Sequence, residues 1–105
     1  MGVGKHRMIN IAELQKEVGQ FSKEKGFDKN SVEARALFLM TEVGEVAKEV
    51  LSLSWEEDKE VVKERLGLEL YDVVWNVCEL ANKLDIDLEK AFVQKSEINR
   101  SRTWE

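Results

Sequence analysis

Apolar residues recur along most of the chain at spacings of three and four, which is the periodicity of an amphipathic helix. The first segment shows it clearly, with apolar positions Ile11, Leu14, Val18 and Phe21. This spacing predicts a helix over about 9–25, with Gly26 as the residue that stops it. No segment shows the strict alternation of a half-buried strand.

Two further helices are predicted from capping-box patterns, in which a polar N-cap residue is followed three positions later by a glutamate. In "NSVE", a helix is predicted to start near Asn30 or Ser31 and to run to about residue 53, with Asn30 as its N-cap and Glu33 as the partner. In "SWEE", Ser54 and Glu57 repeat the pattern. A helix from there could run to about residue 83, with Gly67 as a weak point inside it.

A fourth helix is predicted to begin near Asp85 or Asp87 and to reach about residue 99 or beyond. The linkers between the four segments are short, which favours antiparallel neighbours. The fold class is therefore predicted to be all-α, an antiparallel four-helix bundle-like arrangement. Residues 9–105 would form one domain, preceded by a flexible N-terminal extension at 1–8.

Composition and charge exclude several classes of function. The chain has 105 residues, of which 43% are hydrophobic and 35% charged, and a net charge of -5. This acidity argues against a broad nucleic-acid-binding face. No apolar run is long enough for a membrane span. The single cysteine, Cys78, excludes an internal disulfide, suits a reducing cytoplasm, and is predicted to be a small buried residue.

Three carboxylates of the second predicted helix lie beside its apolar seam rather than on its polar side. At about 100° per residue, Glu42, Glu45 and Glu49 fall within roughly 60° of one another. Phe38 and Val46 flank them in the same projection. These glutamates are thus not on the side expected to face solvent.

The third predicted helix carries a matching stripe in "LELYDVVWNVCEL". Glu69 and Asp72 are three residues apart and therefore neighbours on one face. Asn76 and Glu79 continue the stripe, and each could be a further ligand or a hydrogen-bond partner of its neighbours. Asn76 could also contact the substrate. Two helices thus each carry a carboxylate pair next to an apolar seam.

Four carboxylates drawn together from facing helices would repel one another, and a divalent cation removes the conflict. Oxygen ligands suit a hard ion, Mg²⁺ or Mn²⁺. A di-iron bundle would need Glu-x-x-His pairs, whereas the one histidine, His6, lies in the N-terminal extension. A single Glu-x-x-Glu pair is common on solvated helices, so the metal hypothesis depends on both pairs together.

The segments "TEVGEVAKEV" and "ELYDVVWNVCELANKLDIDLEKAFVQKSEINRSRTW" resemble the MazG-type nucleotide pyrophosphohydrolases of the all-α NTP pyrophosphatase superfamily. That family carries E-E-x-x-E, a gap, and E-x-x-D. The matching residues here are Glu42, Glu45, Glu69 and Asp72. Thr41 stands where the family often has the first glutamate, a departure that could alter substrate choice. The resemblance covers about residues 9–104.

The resemblance implies a Mg²⁺-dependent enzyme that converts a nucleoside triphosphate to the monophosphate and pyrophosphate. It also implies that Lys95, Asn99 and Arg102 contact the triphosphate. By spacing alone, these residues share a helix face and could equally be a solvated helix end. Two alternatives stay open: a phosphoribosyl-ATP pyrophosphatase, and a non-catalytic helical oligomerisation or binding module with a degenerate site.

Aromatic residues are the usual means of holding a base by stacking. The candidates are Phe27, Trp104 and Phe21, although the apolar stripe of the first helix makes core packing the default for Phe21. Trp104 would cover a ligand or pack on a partner subunit. Trp55 and Trp75 are predicted to be packing residues.

The second predicted helix is apolar over much of its circumference, because Leu37, Met40 and Leu51 face away from the first seam. One small monomer does not easily cover two faces of a helix. A homodimer, or a homotetramer, is therefore expected, with the site near a subunit boundary.

Overall fold

The chain is all-helical in a computed structural model that describes residues 8–102. Its four α-helices are α1 (Ile11–Lys25), α2 (Val32–Ser52), α3 (Lys59–Lys83) and α4 (Leu88–Ser101). A 3₁₀ turn at Phe27–Lys29 joins α1 to α2. No strand occurs within the described residues, which confirms the all-α class. Apart from Met8, the predicted extension at 1–8 lies outside them.

The ends of α1 are fixed by its own sequence. Asn10 caps the helix by accepting the Glu13 backbone N–H at 2.8 Å, and the Glu13 carboxylate accepts the Asn10 N–H in return. At the other end, Gly26 adopts a left-handed conformation with φ of 77°. Glycine reaches that region without a Cβ penalty, so the predicted stop at Gly26 is confirmed.

The N-cap of α2 is Ser31, and the prediction of Asn30 is wrong by one residue. The Ser31 hydroxyl accepts the Ala34 N–H at 3.0 Å. Asn30 instead closes the preceding turn, since its own N–H donates to the Phe27 carbonyl at 3.2 Å. The 3₁₀ turn therefore uses Asn30 before α2 begins.

The start of α3 also differs from the prediction, because Asp58 and not Ser54 is its N-cap. Asp58 accepts the N–H groups of Glu60 and Val61. Ser54 is still tied to the end of α2, since its N–H donates to the Leu51 carbonyl at 3.0 Å. Because these turns follow α2, α3 begins only at Lys59. The α3 helix then continues through Gly67 without a break.

For α4, Asp87 is the N-cap, the second of the two predicted starts, and it accepts the Lys90 N–H at 3.0 Å. The helix ends at Ser101. Arg102 already has extended backbone angles, so it lies just beyond the helix.

The α2 and α3 helices form an antiparallel pair. Residues early in α2 meet residues late in α3, as in the 3.3 Å hydrogen bond from Arg35 to Asn76. Residues late in α2 meet residues early in α3, as in the 3.0 Å pair of Glu49 and Arg65. This pairing brings together the two carboxylate stripes recognised in the sequence.

The α1 helix packs on the C-terminal half of α3 through a hydrogen-bonded hub at Gln15. The Gln15 side chain donates to Asn82 Oδ1 at 3.0 Å and to the Ile86 carbonyl, and it accepts the Leu88 N–H at 3.1 Å. Gly19 allows this approach, because a Cβ there would lie 3.1 Å from Asn82 Nδ2. The hub fixes α1 against α3 and the start of α4.

The fully buried apolar core of the described chain is small: Val18, Val62, Cys78 and Ala81. Cys78 is buried as predicted, and this burial raises the pKa of its thiol. Many larger apolar side chains of the amphipathic helices stay exposed. None of the described helices combines the length and apolarity needed to cross a membrane.

Candidate metal and substrate site

Three carboxylates converge between α2 and α3. Oxygen atoms of Glu42, Glu69 and Asp72 all lie within 4.8 Å of one another. Glu69 and Asp72 are three apart on α3 and so project from one face. Glu42 reaches them because the antiparallel pairing sets the middle of α2 opposite this turn. We call these three residues the acidic cluster.

Burial and the carboxylates of the acidic cluster raise the pKa of Glu69. Partial burial raises the pKa of Glu69, and the negative charges of Asp72, Glu42 and Glu45 raise it further. A side-chain hydrogen bond with Asp72 acts in the same direction. A divalent cation would reverse this balance, because it favours the ionised form of every carboxylate that it contacts.

Glu45 and Glu49, the other glutamates of the α2 stripe, have different surroundings. Glu45 is half-buried and close enough for its charge to raise the pKa of Glu69, although it lies outside the acidic cluster. Glu49 accepts a hydrogen bond from Arg65 Nε at 3.0 Å. Glu49 thus has a charge partner within the chain, whereas Glu45 lies at the edge of the cluster.

A buried polar network lies one to two turns from the acidic cluster. Arg35 and Glu79 are 4% and 3% exposed, and their Nη2 and Oε2 atoms are 3.7 Å apart. Ser22 donates to Glu79 at 2.8 Å. Asn76 accepts from Arg35 and donates to the Asp72 carbonyl at 2.8 Å. Asn76 therefore ties the buried arginine to the helical turn that carries Asp72.

A cleft of about 300 Å³ opens beside the acidic cluster. Its lining residues are Arg35, Phe38, Thr41, Glu42, Asp72, Trp75 and Asn76. The Arg35 guanidinium lies 5.0 Å from the Phe38 ring centroid and 5.4 Å from that of Trp75. We call this space the α2–α3 cleft; it combines carboxylates, one buried cation and two aromatic rings.

The aromatic residues considered in the sequence differ in their packing and exposure. Phe21, Phe27 and Trp75 form an edge-to-face cluster with centroids 6.0–6.4 Å apart, so Trp75 packs as predicted. The Phe21 ring is nevertheless partly exposed. The prediction that Trp55 packs is wrong, because this side chain is 66% exposed in the turn after α2. Trp104 lies outside the described residues.

The predicted phosphate-binding residues of α4 lie away from the acidic cluster within one chain. Lys95 and Asn99 line a largely apolar cavity of about 580 Å³ between α1, α3 and α4. The α3 residues of that cavity include Val74 and Val77, which project from the side of α3 opposite Asp72. Arg102 follows the end of α4 and is exposed.

Arg35 is the residue of this region that the sequence reasoning missed. A signal exists, since Arg35 precedes Glu42 by seven residues and Phe38 by three, which places a lone cation on the same face as the glutamates. Surface arginines at such positions are frequent, so the pattern by itself does not show burial.

Comparisons with protein-family models and with curated proteins found no match: no protein-family model matches the chain, and no curated protein shows significant similarity to it.

Proposed function

We propose that the protein is a Mg²⁺-dependent nucleoside triphosphate pyrophosphohydrolase, which releases pyrophosphate and a nucleoside monophosphate. The observation that carries this proposal is the convergence of Glu42, Glu69 and Asp72 from two helices within 4.8 Å. The motifs that contain these residues resemble those of MazG-type enzymes, and an acidic protein needs a metal to accept a polyphosphate.

The donor set fits a hard divalent cation. Three carboxylates supply anionic oxygen, the ligand type that Mg²⁺ and Mn²⁺ prefer. Glu42, Glu69 and Asp72 would hold the cation, with Glu45 at the edge of the group. When bound, the cation screens the triphosphate charge and makes a water molecule more acidic.

Glu45 is the carboxylate that we assign to proton transfer. It adjoins the acidic cluster without belonging to its tightest group, so it keeps an oxygen available to accept a proton from the attacking water. The proton moves to a Glu45 carboxylate oxygen while the water oxygen bonds to phosphorus and the P–O bond between the monophosphate and pyrophosphate parts breaks.

The triphosphate also needs cations and hydrogen-bond donors, and we propose that Lys95 and Arg102 supply the cations and Asn99 an amide donor. Because Lys95 and Asn99 line a different cavity in their own chain, the contact would come from the α4 of a second protomer. Guanidinium and ammonium donors would offset the charge that develops on the leaving pyrophosphate.

The second protomer has a matching surface on α2. Five small or apolar residues repeat at alternating steps of three and four and are exposed: Leu37, Met40, Gly44, Ala47 and Leu51. This is the spacing of a helix–helix seam. We call it the α2 stripe. Pairing two copies through it would join two α2–α3 pairs into a four-helix bundle and place the site near the subunit boundary.

The activity is tested by incubating the protein with a panel of NTPs and dNTPs, with and without Mg²⁺, and measuring pyrophosphate. We expect Mg²⁺-dependent release, and a loss of about a hundredfold or more in Glu69→Gln and Asp72→Asn, which remove metal ligands. Glu64→Gln is the matched control, since Glu64 is an exposed carboxylate on the same helix.

Each result has a defined meaning. Cleavage of phosphoribosyl-ATP in place of the NTPs would identify the related phosphoribosyl-ATP pyrophosphatase activity. Release of no pyrophosphate from any substrate would leave the non-catalytic module. Full activity in both Glu69→Gln and Asp72→Asn would show that the acidic cluster is not the catalytic metal site.

A further inference from the structure

We propose that the α2–α3 cleft binds the nucleobase of the substrate, with Arg35 donating a hydrogen bond from Nε to an acceptor on the base edge. The identification of the ligand as a nucleotide depends on the proposed function. The placement of the base depends on the cleft itself, which adjoins Glu42 and Asp72 and so continues from the metal-binding carboxylates.

The buried Arg35 side chain has a hydrogen-bond donor that is not used within residues 8–102. Its Nη1 donates to Asn76 at 3.3 Å, and its Nη2 lies 3.7 Å from a Glu79 oxygen. Its buried Nε has no hydrogen-bond partner among the described residues. A buried donor without a partner costs about 1–3 kcal/mol, so such groups usually serve a ligand or store strain.

The charge of the cleft favours a neutral ligand group over a phosphate. Arg35 already faces Glu79, and the remaining ionisable lining residues, Glu42 and Asp72, are both acidic. Apart from the metal, the cleft therefore offers no excess positive charge to a phosphate. A neutral group with a hydrogen-bond acceptor meets the free donor without this repulsion.

The lining of the cleft suits a planar ring that carries polar groups. Phe38 and Trp75 supply aromatic surface for a planar ring, the usual sequence-tolerant way of holding a base. The Thr41 hydroxyl donates to the Leu37 carbonyl at 3.1 Å, which leaves its oxygen lone pairs able to accept. The cleft thus presents one donor and one acceptor between aromatic side chains.

The Phe38 ring controls access to this donor. The ring lies over the Arg35 guanidinium and is 44% exposed, so it can turn aside without opening the core. A base that enters beside the turned ring would stack on Phe38 and reach the Arg35 Nε. Phe38 is therefore a contact residue whose truncation leaves the Arg35–Glu79 pair intact.

The test measures base binding without metal or turnover. In a Trp55→Phe, Trp104→Phe variant, Trp75 is the one remaining tryptophan and reports on the cleft. In EDTA, we expect adenosine, cytidine, uridine or thymidine to change its fluorescence with saturation at millimolar concentrations, about what a fragment of a nucleotide achieves. Ribose alone should cause no change.

Two variants connect the signal to the proposed contacts. Arg35→Lys keeps a cation beside Glu79 but removes the guanidinium Nε donor, and Phe38→Ala removes the ring. Each should weaken nucleoside binding about tenfold, the effect of one lost hydrogen bond or ring contact. Arg65→Lys is the control, because it alters the Arg65–Glu49 pair remote from the cleft.

Circular dichroism establishes that each variant is folded, and Phe38→Ala decides the result if Arg35→Lys is not. Absence of any nucleoside signal up to about 10 mM would overturn the proposal. So would an equal response to ribose, or unchanged affinity in both cleft variants. Nucleoside binding without pyrophosphate release would reject the proposed reaction and keep the base site, so the two failures are distinguishable.

Discussion

At the scale of single residues, charged side chains have two different surroundings in this chain. Arg35 and Glu79 are paired with each other and hydrogen-bonded to Asn76 and Ser22, which is how a folded protein tolerates ionised groups inside. Glu69 has carboxylates as its charged neighbours, and its pKa is raised. In the first arrangement each charge has a partner of opposite sign within the chain, whereas in the second the neighbouring charges have the same sign as Glu69.

Glu69→Gln should therefore change stability with pH in a defined direction. Since the pKa of Glu69 is raised in the folded state, folding favours the protonated form, and the free energy of unfolding falls as pH rises through that pKa. In EDTA at neutral pH, the Gln variant should be more stable than the parent. Below the ordinary glutamate pKa of about 4.3, the difference should vanish.

Urea denaturation measures both limits, and added Mg²⁺ should reverse the neutral-pH order by stabilising the parent more than Glu69→Gln. Glu64→Gln should gain as much from Mg²⁺ as the parent does. Equal Mg²⁺ stabilisation of the parent and Glu69→Gln would contradict a metal site at the acidic cluster.

At the scale of the elements, the position of each helix is set by polar contacts as well as by its apolar face. The α1 helix meets α3 and the start of α4 at Gln15, where three side-chain hydrogen bonds converge. The small buried apolar core gives these bonds more weight than they would have in a larger domain.

Gln15→Leu should destabilise the protein by about 2 kcal/mol or more, because the Asn82 and Ile86 acceptors and the Leu88 donor lose their partner. Urea denaturation followed by circular dichroism measures the change. Gln20→Leu, at an exposed position of the same helix, is the control and should stay close to the parent. Similar stabilities for the two variants would show that the hub does not hold α1.

At the scale of the whole molecule, the notable feature is how much apolar surface one chain leaves uncovered. Leu37 and Met40 of the α2 stripe are 67% and 65% exposed, and other large apolar side chains are exposed on α3 and α4. Contiguous apolar surface of this kind usually marks an interface. The proposed dimer would cover the part of this surface that belongs to the α2 stripe.

Met40→Glu should weaken self-association strongly, since it places a charge in the proposed seam. Sedimentation velocity over a range of concentrations should show a dimer or larger assembly for the parent and a shift to monomer for the variant. Ser54→Glu adds the same charge in the exposed turn after α2 and should leave the assembly unchanged. A monomeric parent at every concentration would contradict the proposed dimer.

The sequence alone determined what depends on local periodicity. Apolar spacings and capping-box patterns predicted the helices, and Gly26 and Asp87 marked ends that the structure confirms. The same periodicity placed Glu69 and Asp72 on one face, because neighbours three apart on a helix need no tertiary information.

Only the tertiary structure decided the features that join distant segments. Ser31 and Asp58 replaced the predicted caps because turns that close the preceding helices use the nearby polar groups. Glu42 joined Glu69 and Asp72 through the antiparallel α2–α3 pairing. Packing against α3 buries Arg35 and supplies its partners. Lys95 lines the cavity between α1, α3 and α4. A helical repeat defines a face, but what lies against that face depends on how the helices pack.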